Sequence, residues 1–321
     1  MSAARPLAGL SIDLDDRWTY LQTRGEPRWE TATGFLDRAL PRARELLAAR
    51  GLAATVFATG RDAAMPAVAG ALRGLAADGH EIANHSFAHR PWQHHLGAES
   101  TAADIVAAEQ AIEAATGRRP VGYRGPGHSL GAATLDILCR RGYRYDSSTW
   151  PTPIMPLVRY LYLRGLPLSA EQRRERRDFG GRLADGLRPL RPYRWRLGAG
   201  RLLELPVTTL PLLRLPLHFT YLQLVAARSP ALAAAYFDLG LRLCRLRRVT
   251  PILLLHATDF LGAEDEAGLG GIPGMGRRLA DKLAFLGAAL DRLQRGHRAL
   301  PLADLAAALE GRDDLALVTP A

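Results

Sequence analysis

Two histidines spaced four residues apart are the first feature of the chain that could do chemistry. They frame the segment His85-Ser86-Phe87-Ala88-His89, which follows an apolar and polar alternation over residues 79–84 that predicts a strand ending at His85. Side chains at this spacing can point the same way from a helical turn or a tight loop, and two imidazoles can then share one divalent metal. The spacing alone is a weak signal, because loop histidines also bond to backbone. A metal site therefore needs a further ligand from elsewhere in the chain.

Three carboxylates near the N-terminus offer that ligand. Asp13, Asp15 and Asp16 close the apolar run over residues 7–12, which predicts a buried strand. Three carboxylates within four residues repel one another and are costly to bury unless a cation neutralises them. One carboxylate with two imidazoles leaves a position open for water, which is typical of catalytic metal centres. We expect Zn²⁺, although such a ligand set also accepts cobalt, nickel, manganese or iron.

Strands and helices alternate along much of the chain, which indicates parallel βαβ units. Helices are predicted over residues 34–50, 63–78, 99–116, 131–141, 230–247 and 277–295. Strands are predicted over residues 53–59, 80–85, 121–124, 143–146, 202–207 and 251–256, with a short strand and helix near 300–309. About seven such units predict an α/β fold, a distorted or incomplete (β/α)7 barrel that residues 1–321 form as a single domain.

Five candidate residues fall at the predicted carboxyl ends of strands. They are Asp13, His85, Arg124, Asp146 and His256. Because barrels of parallel strands carry their chemistry at that edge, the sequence predicts that these side chains meet in one site.

Short motifs around these residues resemble those of the polysaccharide deacetylase family, the NodB-homology or carbohydrate esterase family 4 group. The motifs are Ser-Ile-Asp-Leu-Asp-Asp at 11–16, His-Ser-Phe-Ala-His at 85–89, Arg-Gly-Pro-Gly at 124–127, Tyr-Asp-Ser-Ser at 145–148 and Leu-Leu-Leu-His at 253–256. Each motif is short, but five in order are specific. The resemblance spans roughly residues 7–150 and 202–310, and within the family the chain looks closest to the branch with peptidoglycan-deacetylase-like and allantoinase-like members.

The resemblance implies a NodB-homology fold and a metal-dependent hydrolase of linear amide C–N bonds. Such an enzyme removes an N-acyl group, by expectation acetyl, from an amino sugar. Asp15, His85 and His89 would hold the metal, which lowers the pKa of a bound water and polarises the acyl oxygen. Asp13 would take the proton of the attacking water.

The remaining motif residues are expected to support proton transfer. His256 would protonate the departing nitrogen from the opposite side of the site. Arg124 would hold Asp13 ionised and oriented by charge pairing, and Asp146 would orient His256 and keep it cationic. The backbone N–H of Gly127 would help to stabilise the oxyanion.

Two assignments of the aspartates remain open at this point. Asp13 and Asp15 are two residues apart and so share one strand face, which favours Asp13 as base and Asp15 as ligand. If the family's pattern of adjacent aspartates governs, Asp15 is the base and Asp16 the ligand. His94 and His95 are expected at the surface or behind the ligands rather than on the metal.

The strand-helix alternation breaks over about residues 150–202, which we predict to be a basic, loop-rich insertion. Residues 151–201 carry twelve arginines against four acidic residues, which accounts for +8 of the chain's net charge of +10. A concentrated basic region suits an anionic membrane or an anionic substrate. The insertion leads into the apolar, proline-broken run over residues 210–222, which is either a buried strand and loop or part of a surface that docks at an anionic bilayer. In the second case the substrate would be a sugar on a lipid phosphate carrier.

Other features limit the location and the partners. No apolar run reaches the length of a membrane span, and no secretory signal pattern opens the chain, so we expect a cytoplasmic protein, with peripheral contact at the inner membrane face. No helix-turn-helix, zinc finger or aromatic-basic platform supports a nucleic-acid partner. Two further functions stay open, which are hydrolysis of a small cyclic amide, as in the allantoinase-like relatives, and non-catalytic binding of glycan or membrane.

Overall fold

The computed structural model describes residues 5–179, 182–269, 271–272 and 274–320, and their strands form one ten-stranded sheet. The strands are β1 (Leu7–Asp13), β2 (Thr55–Ala58), β3 (Glu81–Asn84), β4 (Gly122–Tyr123), β5 (Tyr145–Asp146), β6 (Tyr193–Leu197), β7 (Gly200–Glu204), β8 (Ile252–His256), β9 (Arg298–Leu300) and β10 (Leu317–Val318). Each of the predicted strands before the insertion is present, so the alternation of apolar residues identified them correctly.

Seven of these strands form the parallel wall of an open barrel. They follow one another in the order β7-β5-β4-β3-β2-β1-β8, while β6 pairs antiparallel with β7, β9 lies beside β1, and β10 lies beside β6. The sheet does not close between β7 and β8, where the Thr208 N–H donates to the Ile252 carbonyl oxygen at 3.0 Å across the gap. The prediction of an incomplete (β/α)7 barrel is confirmed. Parallel strands place their carboxyl ends at one edge, and that edge holds the site.

Helices cover the outside of the sheet through apolar stripes. They are α1 (Arg17–Arg24), α2 (Leu36–Ala48), α3 (Gly60–Ala63), α4 (Pro66–Ala77), α5 (Ala98–Thr116), α6 (Ala132–Arg140), α7 (Met155–Leu163), α8 (Ala170–Glu175), α9 (Phe219–Ala226), α10 (Pro230–Leu246), α11 (Leu279–Gly296) and α12 (Leu302–Leu309). In α2, for example, Leu36, Leu40, Ala43 and Leu47 recur at helical spacing and are all buried in the main core. Among the described helices, none has both the length and the apolar character that a bilayer span requires.

The insertion over residues 150–202 is more regular than its sequence predicted. It contains α7 and α8, and it ends in the hairpin of β6 and β7. A capping box in which the Ser169 and Gln172 side chains each bond the other's backbone N–H begins α8, a local signal that the arginine-rich composition obscured. Gly180 and Gly181, which belong to the insertion, lie outside the described residues.

The apolar run over residues 210–222 is not the buried strand that one interpretation predicted. A turn joins Thr209 to Pro216 through an isolated bridge, and α9 begins at Phe219. Leu212 and Leu213 are exposed at the tip of this turn. The prolines prevent a regular strand because they lack the N–H that a sheet needs.

Candidate active site

Asp15, His85 and His89 converge above the ends of β1 and β3. The Asp15 Oδ1 atom lies 3.3 Å from His85 Nε2 and 2.9 Å from His89 Nε2. Two ligands that each lie about 2.0 Å from a tetrahedral Zn²⁺ are separated by about 3.3 Å, so these three atoms have the spacing of ligands that share one zinc ion. The predicted ligands are therefore brought together.

The chemical state of these atoms fits a bound cation. Asp15 Oδ1 and both ring nitrogens of His89 are buried with no hydrogen-bond partner among the described residues. The Nδ1 atom of His85 lies 2.7 Å from the Arg124 carbonyl oxygen, which assigns the proton to Nδ1 and leaves Nε2 free for a metal, the usual arrangement at metal-binding histidines. Burial alone would raise the pKa of Asp15, but His89 and His85 hold it well below its usual range, so the carboxylate is charged.

A tight loop, not a helical turn, places His89 beside His85. Ser86 and His89 both adopt positive φ angles, of 62° and 44°. The Asn84 side chain accepts from the Ser86 N–H at 2.8 Å, and the Ser86 hydroxyl accepts from the His89 N–H at 3.0 Å. The Asp104 carboxylate on α5 accepts two further N–H groups of the loop, at 2.9 and 3.0 Å. The hydrogen bonds to these side-chain acceptors hold the strained backbone in place, as is typical of functional loops.

Asp13 and Arg124 form a fully buried ion pair beside this cluster. The Arg124 Nη1 atom donates to Asp13 Oδ1 at 2.6 Å and to the Ser11 hydroxyl at 3.0 Å. Its Nε and Nη2 atoms donate to the backbone oxygen and the hydroxyl of Ser147, and the guanidinium stacks over the Phe57 ring at 4.2 Å. Because each guanidinium nitrogen has an acceptor, the orientation of Asp13 is fixed. Its second oxygen, Oδ2, faces the metal-ligand cluster, 3.9 Å from His85 Nε2.

Asp16, the alternative ligand, lies away from the two histidines. Its Oδ1 atom accepts from the backbone N–H groups of Arg17 and Phe35, both at 2.7 Å, so it caps α1 and ties the loop before α2 to it. Its carboxylate also packs against Gly34, where a side chain would overlap with it. Asp15 lies beyond the last residue of β1. The periodicity of a strand, which favoured Asp13 as base and Asp15 as ligand, therefore does not explain how their side chains come together.

His256 ends β8 directly beside Asp13, with which it is in register. Its Nδ1 atom lies 3.0 Å from the Thr220 hydroxyl, and its backbone N–H donates to the Asp259 carboxylate at 2.9 Å. The prediction that Asp146 orients His256 is not supported, because Asp146 accepts from the Ser148 hydroxyl at 2.6 Å instead. Thr220 is the hydrogen-bond partner of the imidazole, and the His218 ring packs against it with ring centroids 5.5 Å apart.

Asp146 belongs to a buried carboxyl pair that the sequence did not predict. Asp146 on β5 and Glu204 on β7 are in register, and both are fully buried. Burial and the neighbouring Asp146 charge raise the pKa of Glu204 well above its usual range, so Glu204 holds a proton that it donates to Asp146. Trp195 Nε1 and the Thr149 N–H donate to the Glu204 oxygens at 2.7 and 2.9 Å. Glu204 is the single acidic residue in the apolar run over residues 202–207, and this is the feature of the sequence that could have pointed to it.

The candidate residues open into a cavity of about 200 Å³. Its floor carries Asp13, Asp15, His85, His89 and His256. Its wall and roof are largely apolar or aromatic, and they are formed by Pro91, Gly127, His128, Trp150, Met155, Val158, Tyr162, Phe179, His218, Tyr221 and Ile272, among others. Several of these come from the insertion, so the insertion roofs the site.

Two histidines of this wall lie outside the candidate residues that the sequence predicted. His128 and His218 both pack against Trp150, with ring centroids 4.9 and 5.0 Å from its ring. Burial, with the nearby Arg124, lowers the pKa of His128 to about 3, and burial with the neighbouring His256 holds the pKa of His218 well below its usual range. Both are therefore neutral aromatic surfaces rather than further cations. No spacing in the sequence marks them.

Comparisons with known proteins agree with this architecture. Two solved structures assigned as polysaccharide deacetylases share the fold. The first, from Mycobacterium smegmatis, has a TM-score of 0.65 and 17% identity, covering 100% of this chain and 95% of that one. The second, from Pseudomonas aeruginosa PAO1, has a TM-score of 0.57 and 15% identity, covering 97% of this chain and 92% of that one. No curated protein matches the chain by sequence.

A family model supplies the match at the level of sequence. Residues 32–145 match the model described as polysaccharide deacetylase, a range that includes His85, His89 and Arg124. The matched range does not distinguish among branches of the family. Over this range, which is about a third of the chain, the sequence is similar to the polysaccharide deacetylase family.

Proposed function

We propose that this protein is a metal-dependent hydrolase that removes an N-acyl group, acetyl by preference, from an amino sugar. The observation that carries the proposal is the convergence of Asp15, His85 and His89 beside an arginine-bound Asp13 and across from His256 in one cavity. This set supplies a metal site, a base and an acid, which are the three functions that amide hydrolysis needs.

Asp13 is the base in this proposal. A divalent ion at Asp15, His85 and His89, for which Zn²⁺ is our choice, supplies Lewis acidity toward the acyl oxygen and toward water when bound. Arg124 occupies Asp13 Oδ1, so Oδ2 is the atom that takes the proton of the attacking water. The proton acceptor thereby faces the ligands and cannot rotate away.

His256 is the acid that protonates the leaving nitrogen. Thr220 engages its Nδ1 atom, which leaves Nε2 for the substrate. The Gly127 N–H is our candidate for a donor to the oxyanion. Gly127 has a φ angle of 54° and packs against Phe179 and Pro91, where a side chain would overlap, so glycine fits both the backbone and the space.

The size of the cavity supports a substrate with one small acylated group inside. A volume of about 200 Å³ lies below the usual range for ligand pockets, and the insertion covers it from above. A terminal sugar would fit such a site better than a long polymer that crosses it. We therefore favour an amino sugar at the end of a carrier, and a lipid phosphate carrier is the one that the outer surface suits.

The outer face of α7 is the surface that suits a lipid. While Met155, Val158 and Tyr162 face the cavity, Leu157, Tyr160 and Leu161 on the same helix are 59%, 63% and 49% exposed. Exposed arginines follow at positions 164, 173, 174 and 177. Apolar side chains flanked by arginine are typical of surfaces that bind anionic bilayers. Contact with the cytoplasmic face of the inner membrane would bring a lipid-linked sugar to the cavity.

Co-sedimentation with vesicles containing phosphatidylglycerol tests this contact. We expect binding at low salt that weakens at high salt, and a several-fold loss in Leu157→Glu. Leu246→Glu is the matched control, because Leu246 is 76% exposed on α10 but belongs to a different surface. A wild type that stays in solution at low salt contradicts the membrane contact without affecting the deacylase assignment.

A small cyclic amide is the second candidate substrate, because the same small cavity would admit it. Ring opening of allantoin, measured beside acyl release from amino sugars, separates the two. Faster turnover of the cyclic amide would replace our first choice.

Metal content and product release together test the proposed function. We expect wild type to bind one zinc ion more than His89→Ala and to release acetate or formate from lipid-linked amino sugars, and we expect His89→Ala to release neither product. Equal metal in the two proteins would show that the proposed ligands are wrong. Metal-loaded wild type without any hydrolysis would favour the non-catalytic binding alternative.

A further inference from the structure

A second group of two histidines and one aspartate lies outside the catalytic cluster. His94 and His95 form the end of a 3-10 turn (Gln93–His95) in the loop that follows the ligand motif. Asp178 comes from the insertion, in the turn Arg176–Asp178. The two segments are distant in the sequence, so the fold brings them together.

The three side chains have the spacing of metal ligands. The Asp178 Oδ2 atom lies 3.5 Å from His94 Nε2 and 3.2 Å from His95 Nε2. These separations match the value of about 3.3 Å that a tetrahedral Zn²⁺ imposes on its ligands. One donor atom from each residue lies within 4.8 Å of the other two.

The orientation of His94 is fixed from behind in the way that metal-binding histidines usually are. Its Nδ1 atom lies 2.7 Å from the Ser129 hydroxyl, and its backbone N–H donates to the same oxygen at 3.1 Å. Ser129 is buried, so it holds the ring with Nε2 directed toward Asp178. The rings of His94 and His95 are tilted by 44° with centroids 4.0 Å apart, and both Nε2 atoms face Asp178 Oδ2.

Arg177 is the present neighbour of this group and would compete with a metal. Its Nε atom lies 3.6 Å from Asp178 Oδ2, and its Nη2 atom lies 3.4 Å from His95 Nδ1. Both distances are long for a hydrogen bond to a guanidinium, and the Arg177 side chain is 66% exposed. The guanidinium can therefore move into solvent when a cation takes the carboxylate.

We propose that His94, His95 and Asp178 form a second divalent-metal site, suited to Zn²⁺, that fastens the insertion to the body of the barrel. The ligands are partly exposed, so water completes the coordination. The next residue, Phe179, lines the catalytic cavity and packs against Gly127. Metal at this site holds the roof of the cavity in place.

Zinc stoichiometry by equilibrium dialysis and elemental analysis tests the proposal in the full-length protein. We expect two zinc ions in wild type, one in His89→Ala, one in His95→Ala, and none in the double variant. Glu175→Gln, in the same insertion but outside the group, should keep two. The proposal is overturned if His89→Ala binds no zinc, or binds one that His95→Ala does not remove.

Tryptic cleavage of the insertion gives a second readout that needs no activity. In the His89→Ala protein, we expect zinc to slow cleavage after Arg173 and Arg174 several-fold. Adding Asp178→Asn should abolish that protection while the fold is retained. Protection that survives Asp178→Asn contradicts the site, whereas the stoichiometry at Asp15, His85 and His89 tests the catalytic centre separately.

Discussion

The molecule contains two groups of the same composition, two histidines and one aspartate, in different settings. In the group of Asp15, His85 and His89, which lies at strand ends, both histidines are buried and Asp15 is partly buried, and a loop whose N–H groups are satisfied holds the two histidines. The group of His94, His95 and Asp178 joins two surface turns and has an arginine beside it. We therefore expect the first group to bind a metal ion tightly. The second group should bind a metal ion more weakly, because the neighbouring arginine repels the ion. Composition identifies candidate ligands, but the surrounding structure sets their affinity.

The same contrast applies to the acid and the base. Asp13 and His256 adjoin the buried group and lie in the cavity, while the insertion group has Arg177 as its nearest charged neighbour. Among the residues that the structure describes, only the first group therefore has proton-transfer groups in reach, and the second has the features of a structural site.

The largest effect is expected from loss of the candidate acid. His256→Ala should lower kcat by about 10² to 10⁴-fold, the usual contribution of a general acid, because the leaving nitrogen would depart unprotonated. Zinc content should not change. His95→Ala should lower kcat by less than tenfold at saturating zinc. Steady-state acyl release checks both, and equal losses in the two variants would remove the distinction between the groups.

The second-largest expected effect is on stability, and it distinguishes the two arginine–aspartate pairs. Arg124→Gln should destabilise the protein by about 3–5 kcal/mol, since it leaves the Asp13 charge buried without its partner. Arg177→Gln should change stability by less than about 1 kcal/mol, because that pair is exposed. Chemical denaturation measures both, and similar values would contradict the assignment of a buried ion pair to the catalytic centre.

A pH effect on stability is expected from the carboxyl pair beneath the buried group. The pKa of Glu204 is raised in the folded protein, so the folded state keeps a proton that the unfolded state releases as the pH rises above the ordinary value for glutamate. Stability from this group is present at low pH and is lost on going to alkaline pH, by up to about 1.4 kcal/mol per pH unit. Glu204→Gln should flatten this part of the melting-temperature profile between pH 5 and pH 9. Asp178→Asn should leave the slope as in wild type, and a steep profile in Glu204→Gln would mean that another group carries it.

The smallest expected effect is a gain in zinc affinity. Arg177→Gln should tighten zinc binding at the insertion group by a few-fold, because it removes a cation 3.6 Å from the Asp178 carboxylate. Zinc affinity at Asp15, His85 and His89 should stay the same. Competition with a chromophoric chelator measures both, and a weakened second site would show that Arg177 supports the ligands instead of opposing a metal.

The sequence revealed the barrel and the residues at its active edge because both depend on local patterns. Apolar runs placed Asp13, His85 and His256 at strand ends, and parallel strands then bring such ends to one edge. The spacing of His85 and His89 depends on a single loop. These parts of the site follow from features within about seven residues of each side chain.

What supports the ligands could not be predicted in the same way. Arg124 meets Ser11 and Asp13 across more than a hundred residues, and Glu204 meets Asp146 through strand register. The distinction between Asp15 and Asp16 depends on where β1 ends and on the packing of Gly34. Such contacts depend on the packed structure, and the sequence pattern gives only the residue types.

Zinc binding by Asp15→Ala and Asp16→Asn tests the central claim most directly. Asp15 contacts both histidines, whereas Asp16 accepts hydrogen bonds from the backbone N–H groups of Arg17, which begins α1, and of Phe35, and an amide oxygen can accept the same bonds. In proteins that also carry His95→Ala, we predict that Asp15→Ala binds no zinc and Asp16→Asn binds one equivalent. Retention of zinc by Asp15→Ala with its loss from Asp16→Asn would contradict this account of the metal centre.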